Sequence, residues 1–122
     1  MRELKLSNSS RTGPAPLIVK VCETFSERLR GLMFTSDLAS HSGILLSVPS
    51  QTRLDASIHM FFMNYDIAVI WLDEQLNVVD TVLARKWKPA YFPSGPARWI
   101  LETHPDRLEE YKPGDQIELT PA

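Results

Sequence analysis

The chain has 122 residues, a formal net charge of −2 and an apolar fraction of 43%, which fits one domain with its own hydrophobic core. Five glycines, nine prolines and a single cysteine exclude a collagen-like repeat, a disulfide scaffold and a disordered chain. Thirteen Lys and Arg against fifteen Asp and Glu leave no basic excess for general binding to nucleic acid or an anionic membrane.

The first residues, Met1-Arg-Glu-Leu-Lys-Leu-Ser, hold no apolar run of signal-peptide length. Stretches such as Ile44-Leu45-Leu46 fall far short of the roughly 20 residues of a membrane span. A lone Cys22 suits a reducing compartment. The expectation is a cytoplasmic monomer with no cofactor, no bound metal, and neither membrane nor nucleic acid as partner.

Residues 1–16 read as a flexible N-terminal arm and 17–122 as a single β domain. In the arm, Leu4-Lys5-Leu6 alternates over too few residues to decide a strand, and Ser7–Pro16 is polar with Gly and Pro. Leu17–Cys22 is β-branched and reads as the first secure strand. Thr24 followed by Glu27 is a capping-box pattern. Phe25, Leu29, Leu32 and Met33 then follow at helical spacing and predict a short helix over Phe25–Met33.

Strands follow. Gly43–Val48 is one, closed by Pro49. Ala56–Met63 (ASIHMFFM) is apolar on both faces and reads as a central strand. Ile67–Leu72 and Val78–Ala84 flank a hairpin turn over Asp73–Asn77. Trp87–Pro96 is a proline-punctuated loop. Arg98–Thr103 and Gln116–Leu119 complete the strands, with a helical turn over Asp106–Tyr111 and a tight turn at Pro113-Gly114-Asp115. About seven short strands with one short helix predict a mostly β fold, a compact antiparallel sandwich or barrel-like domain.

The chain has no glycine-rich phosphate loop, CxxC, HExxH or G-x-S-x-G elbow, which weakens the enzyme class. The cluster His59-Met60-Phe61-Phe62-Met63 offers imidazole and thioether groups suited to Cu(I), with Cys22 and Met33 as further donors. No second His or Cys stands at ligand spacing, so these residues read first as core. Arg28 borders the buried stripe of the expected helix. It reads as an internal partner of Glu102 or Asp66, or as a bidentate ligand anchor. Asn64-Tyr65-Asp66 reads as a turn, or as a polar rim above His59. Asp66, Asp73, Asp80 and Glu102 are the carboxylates available for an acid/base pair. Lys86–Pro93 mixes cations, aromatics and prolines, a composition that suits either a lid or a contact surface.

Taken in order, Glu27-Arg-Leu-Arg-Gly-Leu-Met33, His59-Met-Phe-Phe-Met63, Ile67–Asp73, Trp99-Ile-Leu-Glu102 and Gly114-Asp115 resemble the DUF 192 family, a prokaryotic domain of unknown function, from about Leu17 to Leu119. The resemblance implies a compact β-sandwich with a small helical excursion and brings no established activity. Three departures stand out. Ala68 occupies a position often acidic in the family, and Leu76 replaces a usual hairpin glycine, which shifts the left-handed turn position to Asn77. Thr103–Arg107 lacks the glycine that relatives carry.

Three functional readings result. The first is a small-ligand or partner binding module with Arg28, His59, Met63 and Asn64 as pocket residues. The second is a small enzyme using a cleft with Arg28, His59 and a carboxylate, Asp66 or Glu102. The third is an interaction module using the Trp87–Pro96 loop, which requires exposure among Trp87, Tyr91 and Phe92.

Overall fold

The computed structural model describes residues 2–24, 27 and 38–122. Seven strands form one sheet: β1 (Glu3–Asn8), β2 (Leu17–Cys22), β3 (Ser42–Thr52), β4 (Ile67–Leu72), β5 (Val78–Ala84), β6 (Ala97–Thr103) and β7 (Ile117–Pro121). A 3-10 helix over Pro105–Glu110 precedes β7. The spatial order is β5-β4-β6-β3-β2-β1-β7. Pairing is antiparallel throughout except for β2 with β3, which is parallel. A parallel pair requires a crossover connection, and the chain supplies it between Cys22 and Ser42.

The two ends of the sheet meet where β5 and β7 begin. Asn77 and Gln116 form an antiparallel bridge. The Val78 amide donates to the Asp115 carbonyl at 2.8 Å, and the Ile117 amide to the Leu76 carbonyl at 2.9 Å. The sheet is thereby curled into a partly closed, barrel-like sandwich, the mostly β class expected.

Side chains alternate across a strand, so the central strands serve two cores. In β4, Ala68, Ile70 and Leu72 join Leu6, Leu17, Val19, Leu45, Leu101, Tyr111 and Ile117 inside the curl. Ile67, Val69 and Trp71 join Cys22, Ile44, Leu46, Val48 and Ile100 on the outer face. Each large aliphatic side chain buried in this way stabilises by about 1.5–3 kcal/mol.

Several expectations change. Ala56–Met63 is not a central strand. It is an irregular segment, bridged to the chain only at Ile58–Tyr91, and Ala56, Ile58, Met60 and Met63 cap the outer core. A short apolar run reads alike whether it is a buried strand or a cover. β3 runs through Pro49 to Thr52, its register with β6 shifting between Ser47 and Thr52; a proline is tolerated at such an irregularity. Part of the expected arm is β1, paired with β2 on one side and β7 on the other, with Leu6 fully buried. In the hairpin, Leu76 itself adopts the left-handed conformation (φ 64°), not Asn77. The capping box forms: the Glu27 amide donates to Thr24 Oγ1 at 3.2 Å, and Glu27 Oε1 accepts from the Thr24 amide at 3.1 Å. The rest of the expected helix, Arg28 included, lies outside the described residues.

Two polar anchors hold the periphery. Asp115, after the turn in which Gly114 has φ 94°, accepts from Asn8 Nδ2 (2.9 Å), Arg11 Nε (2.6 Å) and the Lys112 amide (3.0 Å). Burial alone would raise its pKa, but these hydrogen bonds outweigh that and hold the carboxyl below its ordinary 3.8. Arg107, buried on the 3-10 helix, donates to Glu110 Oε1 (2.6 Å), to the Ser40 carbonyl (2.8 Å) and to the Ala15 carbonyl. One guanidinium thus joins three loops far apart in sequence.

Arg107→Ala is expected to cost about 3 kcal/mol in urea unfolding, because it leaves two carbonyls and a carboxylate without their donor. Arg107→Lys is expected to recover less than half of that, since an ammonium lacks the planar fork. Asp115 contributes stability that is present above its unfolded-state pKa and lost as pH falls through the depressed folded-state value. The stability gap between wild type and Asp115→Asn should therefore be widest near neutrality and close below about pH 4. Urea midpoints measured from pH 7 to pH 2.5 check this.

Candidate functional site

Two loops pack against one another beside the outer core, residues 56–66 before β4 and residues 85–92 after β5. The Ile58 and Tyr91 backbones exchange two hydrogen bonds (3.0 and 2.9 Å). The Met60 amide donates to the Lys88 carbonyl at 2.9 Å, and the Trp87 amide to the Met60 carbonyl at 2.7 Å. Asp66 ties the far end: its Oδ1 accepts from the Lys86 amide (2.9 Å), and its Oδ2 faces Arg85 at 3.5 Å. The Tyr91 hydroxyl accepts from the Arg85 amide at 2.8 Å. The loops are thus laced together at several points.

At their junction two bulky aromatics take left-handed backbone conformations, Phe62 with φ 63° and Trp87 with φ 68°. An L residue pays on the order of 1 kcal/mol or more for each such position. The two rings meet edge to face with centroids 5.1 Å apart, an arrangement that aligns positive ring edge with negative ring face. Both remain open to solvent, Phe62 at 47% and Trp87 at 54%, with Phe61 beside them at 40%. Lys88 lies 5.8 Å from the centroid of the half-buried Tyr91 ring. Strained backbone that exposes aromatic surface stabilises neither loop.

Of the four sequence-derived pocket residues, Met63 is buried in the outer core and Asn64 is exposed at the end of the loop. His59 is half-buried, 5.6 Å ring to ring from Phe61. Its Nδ1 accepts from the Phe61 amide at 3.3 Å, which leaves Nε2 to carry the proton of the neutral ring. Arg28 is outside the described residues. His59 and Asn64 border the aromatic patch, whereas Met63 supports it from beneath. Of the three aromatics whose exposure the loop reading requires, Trp87 and Phe92 are exposed and Tyr91 is half-buried. Phe61 and Phe62 read as core in the sequence; that they stand at neighbouring positions, which in a strand point to opposite faces, was the available signal.

The carboxylates do not converge. Asp73 and Asp80 are spent on local amides, of Gln75 and Asn77 and of Thr81 and Ser94, and Asp66 on Arg85 and Lys86. Ala68 lies in the inner core. Glu102 differs. It sits on β6 across from Ile44 and Val69, only 7% exposed, and no described residue gives it a hydrogen bond or ion pair. Burial pushes its pKa up to about 7. Cys22 nearby is pushed up to about 11, first by burial and then by the charges of Glu27 and Glu102; a thiol in that state is a poor nucleophile. Open clefts of about 430 Å³ beside Ile18, Lys20 and His41 and about 550 Å³ beside Arg11 and Glu110 include neither His59, Asp66 nor Glu102. Among the described residues no group of three His, Cys, Asp or Glu is placed to hold a metal ion, and no helix is long and apolar enough to cross a membrane.

A family described as "Uncharacterized ACR, COG1430" matches residues 7–119. A UPF0127 protein of Thermococcus kodakarensis is 43% identical over 85% of this chain and 66% of its own length. One from Thermococcus sibiricus is 48% identical over 70% of this chain and 53% of its own. The chain therefore spans about half to two-thirds of the length of these curated relatives. Among solved structures, a candidate transcription regulator from Sinorhizobium meliloti superposes with a TM-score of 0.84 at 17% identity, covering 96% of this chain and 92% of the other. A protein of unknown function from Novosphingobium aromaticivorans gives 0.78 at 20% identity, covering 95% and 83%. At such identities the likeness is one of fold.

The state of Glu102 is readable as a pH dependence of stability. Its folded-state pKa is raised, so the folded chain holds a proton that the unfolded chain releases above its ordinary 4.5. Stability is then full below about pH 4.5, falls as pH rises toward 7 and levels above it, a loss on the order of 3 kcal/mol. Glu102→Gln, which carries no charge to bury, should abolish this slope. Urea unfolding of both proteins at pH 5 and pH 8 measures the difference.

Proposed function

Since the chain belongs to the DUF192 family, whose description names no reaction, we propose from its geometry that it is a cytoplasmic, monomeric binding module whose contact face is the patch of Phe61, Phe62 and Trp87. The observation that carries this is the edge-to-face pair of Phe62 and Trp87, both half-exposed and both in left-handed backbone. Contiguous exposed aromatic surface on a rigid base is what contact sites use: Trp and Tyr dominate binding energies because they offer large area with few rotatable bonds. The hydrogen bonds between residues 58–60 and 87–91 hold the rings in place before a ligand arrives, which lowers the ordering cost of binding. His59 and Asn64 supply polar groups at the rim. The buried Cys22 fits a reducing compartment. Against an enzyme stands the dispersal of the carboxylates, none of which is placed beside His59 by any hydrogen bond.

The test is a screen of small cyclic and aromatic fragments followed by ¹H–¹⁵N correlation spectra of the full chain. Hits should move the amides of residues 59–64 and 86–92 together with the Trp87 indole. Phe62→Asn with Trp87→Asn should abolish those shifts and change stability by less than about 1 kcal/mol, because Asn tolerates the left-handed region and the lost rings are half-exposed. Hits that map elsewhere, or shifts that survive the double substitution, would remove the patch as the contact face.

A further inference from the structure

We propose that the occupant of this face is an acidic peptide segment of another protein, which lays one aromatic or large aliphatic side chain against Phe62 and Trp87. This rests on the binding-face reading and deepens it. The argument is charge. In the two loops, residues 56–66 and 85–92, three cations (Arg85, Lys86 and Lys88) stand against one carboxylate (Asp66), in a chain whose net charge is −2. The sign of the face is therefore opposite to that of the molecule. Asp66 faces Arg85 at 3.5 Å and accepts from the Lys86 amide, so Asp66 and Arg85 offset one another and the excess positive charge rests on the Lys86 and Lys88 ammonium groups. The Lys86 ammonium has no hydrogen-bond or ion-pair partner among the described residues, and Lys88 is held over Tyr91 with its charge exposed. Lys86 and Lys88 flank Trp87 in sequence, which places a cation on either side of the ring along the chain.

An apolar anchor bordered by unpaired ammonium groups matches a side chain flanked by Asp or Glu. The hydrophobic contact supplies the affinity, while the carboxylates steer approach and set the register. Single-stranded nucleic acid would use the same aromatics as stacking platforms, but its affinity comes from neutralising several phosphates along a groove. Here the cations of the two loops without an ion-pair partner among the described residues are Lys86 and Lys88, too few to track a phosphate backbone.

The experiment is selection of displayed random peptides of about 12 residues on the full chain, with counter-selection on the Phe62→Asn/Trp87→Asn protein. Enriched sequences should be net negative and carry an aromatic or large aliphatic residue. A synthetic copy of one should bind about tenfold more weakly to Lys86→Glu/Lys88→Glu, and several-fold more weakly when salt is raised from about 50 to 300 mM. Selected peptides that depend on Phe62 and Trp87 but are neutral or basic would overturn the acidic assignment and leave the binding face standing. Tight Trp87-dependent binding of an oligothymidylate would do the same. Peptides indifferent to the double substitution, or no enrichment at all while fragments still map to the patch, would also overturn it; the former, with fragments mapping elsewhere, overturns the face as well.

Discussion

A single buried hydrogen bond organises the outer half of the molecule: the Trp71 indole N–H donates to the Ala56 carbonyl at 2.7 Å. β4 is buried at every residue, so one of its faces must be covered by something other than the curled sheet. Trp71 is the largest side chain on that face, and an indole N–H removed from water has to find an acceptor. Ala56 provides it from an irregular segment, and this fixes where the cover begins. From there Ile58, Met60 and Met63 continue over the outer core. The backbones of Ile58 and Met60 reach across to Tyr91, Lys88 and Trp87. The aromatic face is the outer rim of a cover whose inner side is dictated by packing, and its two left-handed residues lie where the paired segments turn away from each other.

Polar groups in this fold divide by whether burial is answered. Asp115 and Arg107 are buried with full sets of partners, so each acts as a fastener between segments distant in sequence. Glu102 is buried with none among the described residues, and the same loss of water that Asp115 survives instead raises its pKa to about 7. A buried acid poised near neutrality is a common ingredient of function, yet here it lies on the apolar outer face between Ile44 and Val69, with no described base beside it. Its raised pKa gives it a pH-dependent effect on stability.

The likeness to the two solved structures extends over nearly the whole chain at 17% and 20% identity. What two chains so different share is the alternation that fills two cores from one sheet, since that pattern survives replacement of almost any one apolar residue by another. The loop aromatics belong to a different class of residue. They add nothing to the core and cost backbone strain.

The sequence by itself determined the strands. Leu17–Cys22, Ile67–Leu72 and Val78–Ala84 are legible because β-branched residues alternate between evident turns, and the Asp73–Asn77 hairpin and the Thr24–Glu27 capping box are local patterns complete within a few residues. Tertiary structure decided what local pattern leaves open. Ala56–Met63 has the composition of a central strand, but the strand positions beside β4 are taken by β5 and β6, so it lies across the sheet as a cover. Leu4-Lys5-Leu6 is too short to announce a strand, and becomes one because β2 and β7 offer an edge on each side. Arg107 reads as a charge on a short helical turn, and only the meeting of that turn with two distant segments gives it carbonyls to bind. His59, Met63 and Asn64 were found together because they are neighbours in sequence; Phe62 and Trp87 were not, because what makes them a pair is a contact across two loops and a backbone sign that no side-chain pattern encodes.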